Sequence, residues 1–151
     1  MRLVKSSKRI LVIEDEIEIG EVISEVLREQ YENVHYIHET ERVPGHLDQY
    51  SYDLILSDIN MPKLDGPSLV SLIRSRGILT PVVFVSGNVT LAYALMASRL
   101  GVLDILDKPF TNANLLAAVR NVFEPQKKNL SNTEKDIEPE IVPKRSAKKS
   151  S

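Results

Sequence analysis

The feature that most restricts the fold is a series of short apolar runs, each closed by a polar residue and followed by a helical pattern. Arg9-Ile-Leu-Val-Ile13 stops at Glu14-Asp15-Glu16. Asp53-Leu-Ile-Leu-Ser57 stops at Asp58, and Pro81-Val-Val-Phe-Val85 stops at Ser86-Gly87-Asn88. Gly101-Val-Leu-Asp-Ile-Leu106 runs into Asp107-Lys108-Pro109-Phe110. Continuous apolar runs of this kind suit strands buried on both faces, as in parallel sheets covered by helices. Asn33 to His38 alternates instead and reads as a strand near the sheet edge.

Helical spacing fills the gaps. Ile19, Val22, Ile23, Val26 and Leu27 share one face, with Glu18, Glu21, Glu25 and Glu29 opposite. Between Glu39 and Tyr50, Pro44-Gly45 predicts a short or irregular helix. Pro67 suits a first helical turn, with Asp65 able to cap it and Gly77 placed to end it. Val89 to Leu100 reads as a helix, and Thr111 can cap a last one bearing Leu115, Val119, Val122 and Phe123. Strand and helix alternate five times, which calls for an α/β fold: a doubly wound, five-stranded parallel sheet with helices on both faces.

The 151 residues allow one domain with a real core. We divide them into an N-terminal extension (1–8), a folded domain (9–123) and a disordered, charged tail (124–151), because Pro, Lys, Glu and Ser dominate the last part. There is no cysteine, which excludes disulfides, thiolate catalysis and thiolate-bound zinc. Net charge is -2, so nothing global points to nucleic acid or a membrane surface. No apolar run approaches the roughly 18 residues of a membrane span. We expect a cytoplasmic protein without membrane partners.

The polar closures fall at the carboxyl ends of the strands, where open parallel sheets bind ligands. Glu14 and Asp15 follow the first strand, Asp58 the third, Ser86 the fourth and Lys108 the fifth. Crowded carboxylates repel, and a divalent cation relieves that repulsion. Oxygen donors without His or Cys select Mg2+, with Mn2+ as an alternative. A lysine and a hydroxyl beside such a cation make a pocket for a small dianion. With Asp58 as nucleophile, the chemistry available is phosphoryl transfer onto a carboxylate. His35, His38 and His46 lie away from this edge and are given sheet or surface roles.

Four motifs, Ile10-Leu-Val-Ile-Glu-Asp-Glu16, Asp58-Ile-Asn-Met-Pro62 with Asp65-Gly66, Val85-Ser-Gly87 and Lys108-Pro-Phe110, stand in order over residues 9 to 123. The set resembles the response-regulator receiver domain of two-component signalling, in its stand-alone form. The resemblance implies a flavodoxin-like fold with strand order 2-1-3-4-5. It implies that Asp58 is the phospho-acceptor, that Asp15, Asp58 and the Asn60 backbone carbonyl bind Mg2+, and that Glu14 acts through a metal-bound water. It implies that Lys108 and Ser86 contact phosphoryl oxygens and that the bond before Pro109 is cis. It also implies a histidine kinase or phosphotransfer protein as donor, and a switch that catalyses only its own phosphorylation and dephosphorylation.

The chain departs from the family pattern at Ile105, where a switching aromatic is expected three residues before Lys108. Leu91-Ala-Tyr-Ala-Leu-Met-Ala97 is apolar nearly all round, which fits either a deeply packed helix or a partner surface. We expect no DNA-binding domain, because the folded pattern ends near Phe123. We expect output by protein binding through the fourth helix, fifth strand and fifth helix, with a homodimer as one form. The rival expectation is an interaction module with the same fold that works without phosphorylation. A dehalogenase-like phosphatase is disfavoured, because Asn60 stands where such enzymes carry a second acid.

Overall fold

A computed structural model describes residues 4–125. In chain order the elements are β1 (Ser6–Ile13), α1 (Ile17–Arg28), β2 (Tyr31–Ile37), a 3-10 turn (Thr40–Arg42), α2 (Val43–Gln49), β3 (Leu54–Asp58), α3 (Gly66–Ser75), β4 (Val82–Ser86), α4 (Leu91–Arg99), β5 (Asp104–Asp107) and α5 (Asn112–Phe123). The five strands form one parallel sheet in the order β2-β1-β3-β4-β5. The doubly wound, flavodoxin-like expectation holds, including the strand order.

Strand alternation splits the apolar side chains into two cores. Leu11, Ile13, Ile55, Val82 and Phe84 point to one face and meet Val43 and Leu47 of α2, Leu69, Val70 and Ile73 of α3, and Ala97 of α4. Ile10, Val12, Leu54, Leu56, Val83 and Val85 point to the other and meet Ile23, Val26 and Leu27 of α1 with Leu115 and Val119 of α5. Burying a Val, Leu, Ile or Phe side chain contributes roughly 1.5–3 kcal/mol. These runs therefore hold the strand ends, and the polar residues that close them, in fixed register.

The differences from expectation lie at element ends. β1 begins at Ser6, inside the stretch read as an extension. There Ser6 N–H donates to Gln30 O, Asn33 Nδ2 donates to Ser7 O, and the register with β2 shifts between Ser6 and Arg9. Backbone pairing extends the strand where side chains are too polar to signal it. β5 is shorter than the predicted run, starting at Asp104, because Gly101 at φ 75° closes α4 and Val102 N–H donates back to Ala97 O. Gly66, not Pro67, is the first residue of α3. Asp65 accepts from Ser68 N–H as the predicted cap, and Gly77 at φ 78° ends the turn. Thr111 and Asn114 form a reciprocal cap on α5. The tail beyond residue 125 lies outside the described residues.

α4 resolves its two readings against deep packing. Its sole buried residue is Ala97, while Leu91 is 75% exposed and Leu95 56%.

Candidate functional site

The order 2-1-3-4-5 reverses direction between β1 and β3, and doubly wound sheets open a crevice at that point. Ile13 pairs with Ser57 across it, so Glu14 and Asp58 leave adjacent strands side by side. Glu14 (1% exposed) and Asp58 (5% exposed) are buried, and Asp15 is partly so. One carboxylate oxygen from each of Glu14, Asp15 and Asp58 lies within 4.8 Å of the others.

Lys108 reaches this cluster from the end of β5. Its Nζ lies 2.9 Å from Glu14 Oε1, 3.7 Å from Asp58 Oδ2 and 3.7 Å from Glu16 Oε1. Its backbone N–H donates to Ser86 O at 2.8 Å, and the Lys108-Pro109 bond is cis. Ser86 is fully buried at the end of β4, where its hydroxyl accepts from Asn88 N–H at 3.0 Å. The structure thus gathers Glu14, Asp15, Asp58, Ser86 and Lys108 at one edge. Asn60 sits above them, its backbone N–H directed at Asp58 Oδ1 at 3.4 Å.

Burial raises the Glu14 carboxyl to about 7, against the hydrogen bond from Lys108 and with help from the Asp58 charge. Burial likewise raises Asp58, and the Lys108 ammonium opposes it. The Lys108 ammonium is held above its usual range by its bond to Glu14, against its own desolvation. One lysine does not neutralise three converging carboxylates. The surplus negative charge and the all-oxygen donor set fit a hard divalent cation, Mg2+ first among them. When bound, such a cation supplies charge stabilisation for phosphate oxygens.

The sequence reading did not show how Tyr36, Gly20, Gly66 and Tyr93 support the site. Tyr36 of β2 donates its hydroxyl to Glu14 O at 2.8 Å, which fixes the backbone entering the acidic loop. Its ring lies where a side chain at Gly20 would be, so glycine there makes the contact possible. At Gly66 a Cβ would stand 3.0 Å from Asp58 O, Ile59 Cα and Phe84 Cε1. Gly66 N–H donates to Ile59 O at 2.7 Å, folding the loop after Asp58 back onto its strand. The Asp65-Gly66 pair was legible as a motif and a helix cap, but its closeness to Asp58 was not. Tyr93 of α4 donates to Asn60 Oδ1 at 3.1 Å, a long-range pair with no local sequence signature. The Glu14, Asp15 and Asp58 group contains no histidine, although His38 lines a small cavity beside Asp15. His35 Nδ1 meets Tyr52 Oη at 2.7 Å, with its ring edge-on to Tyr50.

With fold and site in place, comparison with known proteins defines the class. The response regulator receiver domain profile matches residues 10–120. The chain belongs to that family, whose members are signalling switches of two-component systems. It is 35% identical over 117 residues to the probable transcriptional regulatory protein SilR of Salmonella typhimurium, covering 76% of this chain and 50% of that protein. It is 34% identical over 106 residues to transcription factor SKN7 of Saccharomyces cerevisiae, covering 70% of this chain and 17% of that one. The Francisella response regulator 1452 receiver domain superposes with TM-score 0.72 at 26% identity, over 80% of this chain and all of that one. Vibrio cholerae CheY4 superposes with TM-score 0.73 at 23% identity, over 78% of this chain and 99% of that one, and shares the fold.

These relatives overturn the expectation of an output without a DNA-binding domain, through protein binding on the α4–β5–α5 face or a homodimer. SKN7 is a transcription factor and SilR a probable transcriptional regulatory protein, and this chain spans half of SilR and less of SKN7. The expected lack of a DNA-binding domain rested on where the apolar pattern ends. That pattern reports the boundary of one core and carries no information about an output. No helix among the described residues is long and apolar enough to cross a membrane.

Proposed function

We propose that the chain is a Mg2+-dependent phospho-acceptor in a two-component phosphorelay in the cytoplasm, with Asp58 as the residue modified. The observation that carries the reading is the convergence of Glu14, Asp15 and Asp58 within 4.8 Å, with the Lys108 ammonium 3.7 Å from Asp58 Oδ2. No structural need accounts for three carboxylates gathered at a strand edge, two of them buried. Asp15, Asp58 and the Asn60 backbone carbonyl would hold the cation directly, and Glu14 would act through a metal-bound water.

In the transfer, an Asp58 oxygen bonds to phosphorus while the bond from phosphorus to the donor breaks. For a phosphohistidine donor, carried by a histidine kinase or phosphotransfer protein, the electron pair of that bond leaves on the imidazole nitrogen. Lys108 exchanges part of its pairing with Glu14 for the incoming phosphoryl oxygens. Ser86, at the end of β4, donates its hydroxyl to another of them. The new charge and bonds bias an equilibrium between two loop arrangements.

The test is intact-mass measurement after incubation with acetyl phosphate, with and without Mg2+. The expected result is one added phosphoryl group that requires Mg2+ and disappears in Asp58→Asn. A protein that gains no mass with Mg2+, or gains it equally in Asp58→Asn, would sink the reading.

A further inference from the structure

The expected switching aromatic on β5 is replaced by Ile105, which packs into the core shared by Ala97 and Tyr93 of α4. An aromatic hydroxyl nevertheless reaches the site, from α4. Tyr93 Oη donates to Asn60 Oδ1 at 3.1 Å, and Asn60 N–H faces Asp58 Oδ1 at 3.4 Å. Two polar contacts therefore connect the fourth helix to the carboxylate at the centre of the pocket.

The connection matters because α4 has little else to hold it. Ala97 is its one buried residue, and Leu91, Leu95 and Met96 are exposed. Among the described residues, Tyr93–Asn60 is the side-chain hydrogen bond that ties α4 to the loop after β3. Tyr93 itself is well placed for the task. Its own N–H is fixed by the Thr90 cap at 3.2 Å, and its ring is half-buried against the core. A phosphoryl group on Asp58 claims the space and hydrogen-bonding capacity around its oxygens. Asn60 then has to readjust, and its side chain is the other half of the Tyr93 bond.

We propose that the Tyr93–Asn60 hydrogen bond is a latch that holds α4 on the acceptor loop, and that Tyr93 is the positioning residue through which occupancy of Asp58 reaches α4. The inference rests on the reading of Asp58 as the acceptor and adds the route by which the signal leaves it. Coupling is reciprocal: if occupancy of Asp58 opens the latch, opening the latch favours occupancy of Asp58 by the same factor. A neutral hydrogen bond corresponds to roughly a 2- to 10-fold change in such an equilibrium.

The experiment compares the wild type with Tyr93→Phe, which keeps the ring and loses the hydroxyl. Hydrogen exchange of the α4 amides should rise roughly 2- to 10-fold in the unmodified variant. The affinity for beryllofluoride with Mg2+, a stand-in for the phosphoryl group, should rise by a similar factor. Tyr93→Phe introduced on top of Asn60→Ala should add nothing further to α4 exchange, since the two residues share one bond. Leu95→Ala, on the exposed face of the same helix, should leave exchange and affinity unchanged.

Unchanged α4 exchange in Tyr93→Phe would overturn the latch. Faster exchange with unchanged beryllofluoride affinity would overturn its coupling to Asp58. A wild type that neither binds beryllofluoride nor accepts a phosphoryl group would overturn the acceptor reading and the coupling with it. The mechanical tie would still be judged by exchange alone.

Discussion

α3 and α4 both follow strands that end at the site, both begin with a side-chain cap, and they are held in opposite ways. α3 buries Gly66, Pro67, Leu69, Val70 and Ile73. Gly66 is bonded back to Ile59 O, and the Arg74 guanidinium closes the far end on Ile78 O at 3.1 Å and Thr80 O at 2.8 Å. α4 buries Ala97 and leaves Leu91, Leu95 and Met96 in solvent. Topology, caps and length are similar, so the difference is burial. It teaches that one side of the Asp58 loop is moored while the other is free to respond. Elements with few buried apolar contacts open at low free energy, and α4 is such an element beside the Asp58 carboxylate.

The sharpest way to break this contrast is to cut matching side chains. Ile73 is fully buried. Ile73→Ala should cost about 2–5 kcal/mol in urea unfolding, because it removes apolar contacts and leaves a cavity. Leu95→Ala should stay within about 0.5 kcal/mol, as expected of a solvent-facing side chain. Equal losses would show that α4 is moored after all.

The caps test the same contrast at smaller amplitude. Asp65 accepts from Ser68 N–H at 2.8 Å, and Thr90 accepts from Tyr93 N–H at 3.2 Å. Asp65→Ala should lower global stability by about 1 kcal/mol. Thr90→Ala removes an equivalent bond from a helix that opens on its own. Its cost should therefore appear as faster exchange in α4, with the urea midpoint nearly unmoved. A Thr90→Ala midpoint shift as large as that of Asp65→Ala would contradict the idea that α4 opens locally.

Much of this was legible in the sequence, for identifiable reasons. Ile10–Ile13, Leu54–Leu56 and Val82–Val85 are buried on both faces, and such strands need unbroken apolar runs. The residue that closes each run stands at the sheet edge, so Glu14, Asp58 and Ser86 could be placed from the pattern alone. The ends of β1 and β5 could not. Pairing through backbone groups extended the first, and a glycine turn shortened the second. Tyr93 was hidden because its partner, Asn60, is distant in sequence and its helix lacks a clear amphipathic stripe. The apolar character of α4 was visible, but its exposure depends on neighbours that periodicity does not report.

The smallest effect expected concerns the moored face and pH. His35 of β2 sits against Tyr50 and Tyr52, and Tyr52 belongs to the same core as Ile73. Burial lowers the pKa of the His35 imidazole below its usual 6.5, and the positive Arg9 and Arg28 push the same way. Burial raises the Tyr52 hydroxyl to about 12, so it stays protonated, and its Oη lies 2.7 Å from His35 Nδ1. Protonating the imidazole makes both ring nitrogens donors and puts a positive charge in this partly buried cluster. The sign follows from linkage. Below pH 6.5 the unfolded chain binds a proton at this position before the folded one does, so stability falls as pH drops from 6.5 toward the lowered folded value, and levels off beneath it. His35→Gln offers Tyr52 a hydrogen-bonding side chain that does not titrate, and should remove this component from a plot of melting temperature against pH. Exchange in α4 should be indifferent to the substitution, because the hydrogen bond and ring contacts of His35 go to Tyr52, Tyr50 and His46 and not to that helix. A pH response carried equally by α3 and α4 would mean that the two sides of the Asp58 loop are coupled through the sheet, and the contrast between a moored and a free helix would fail.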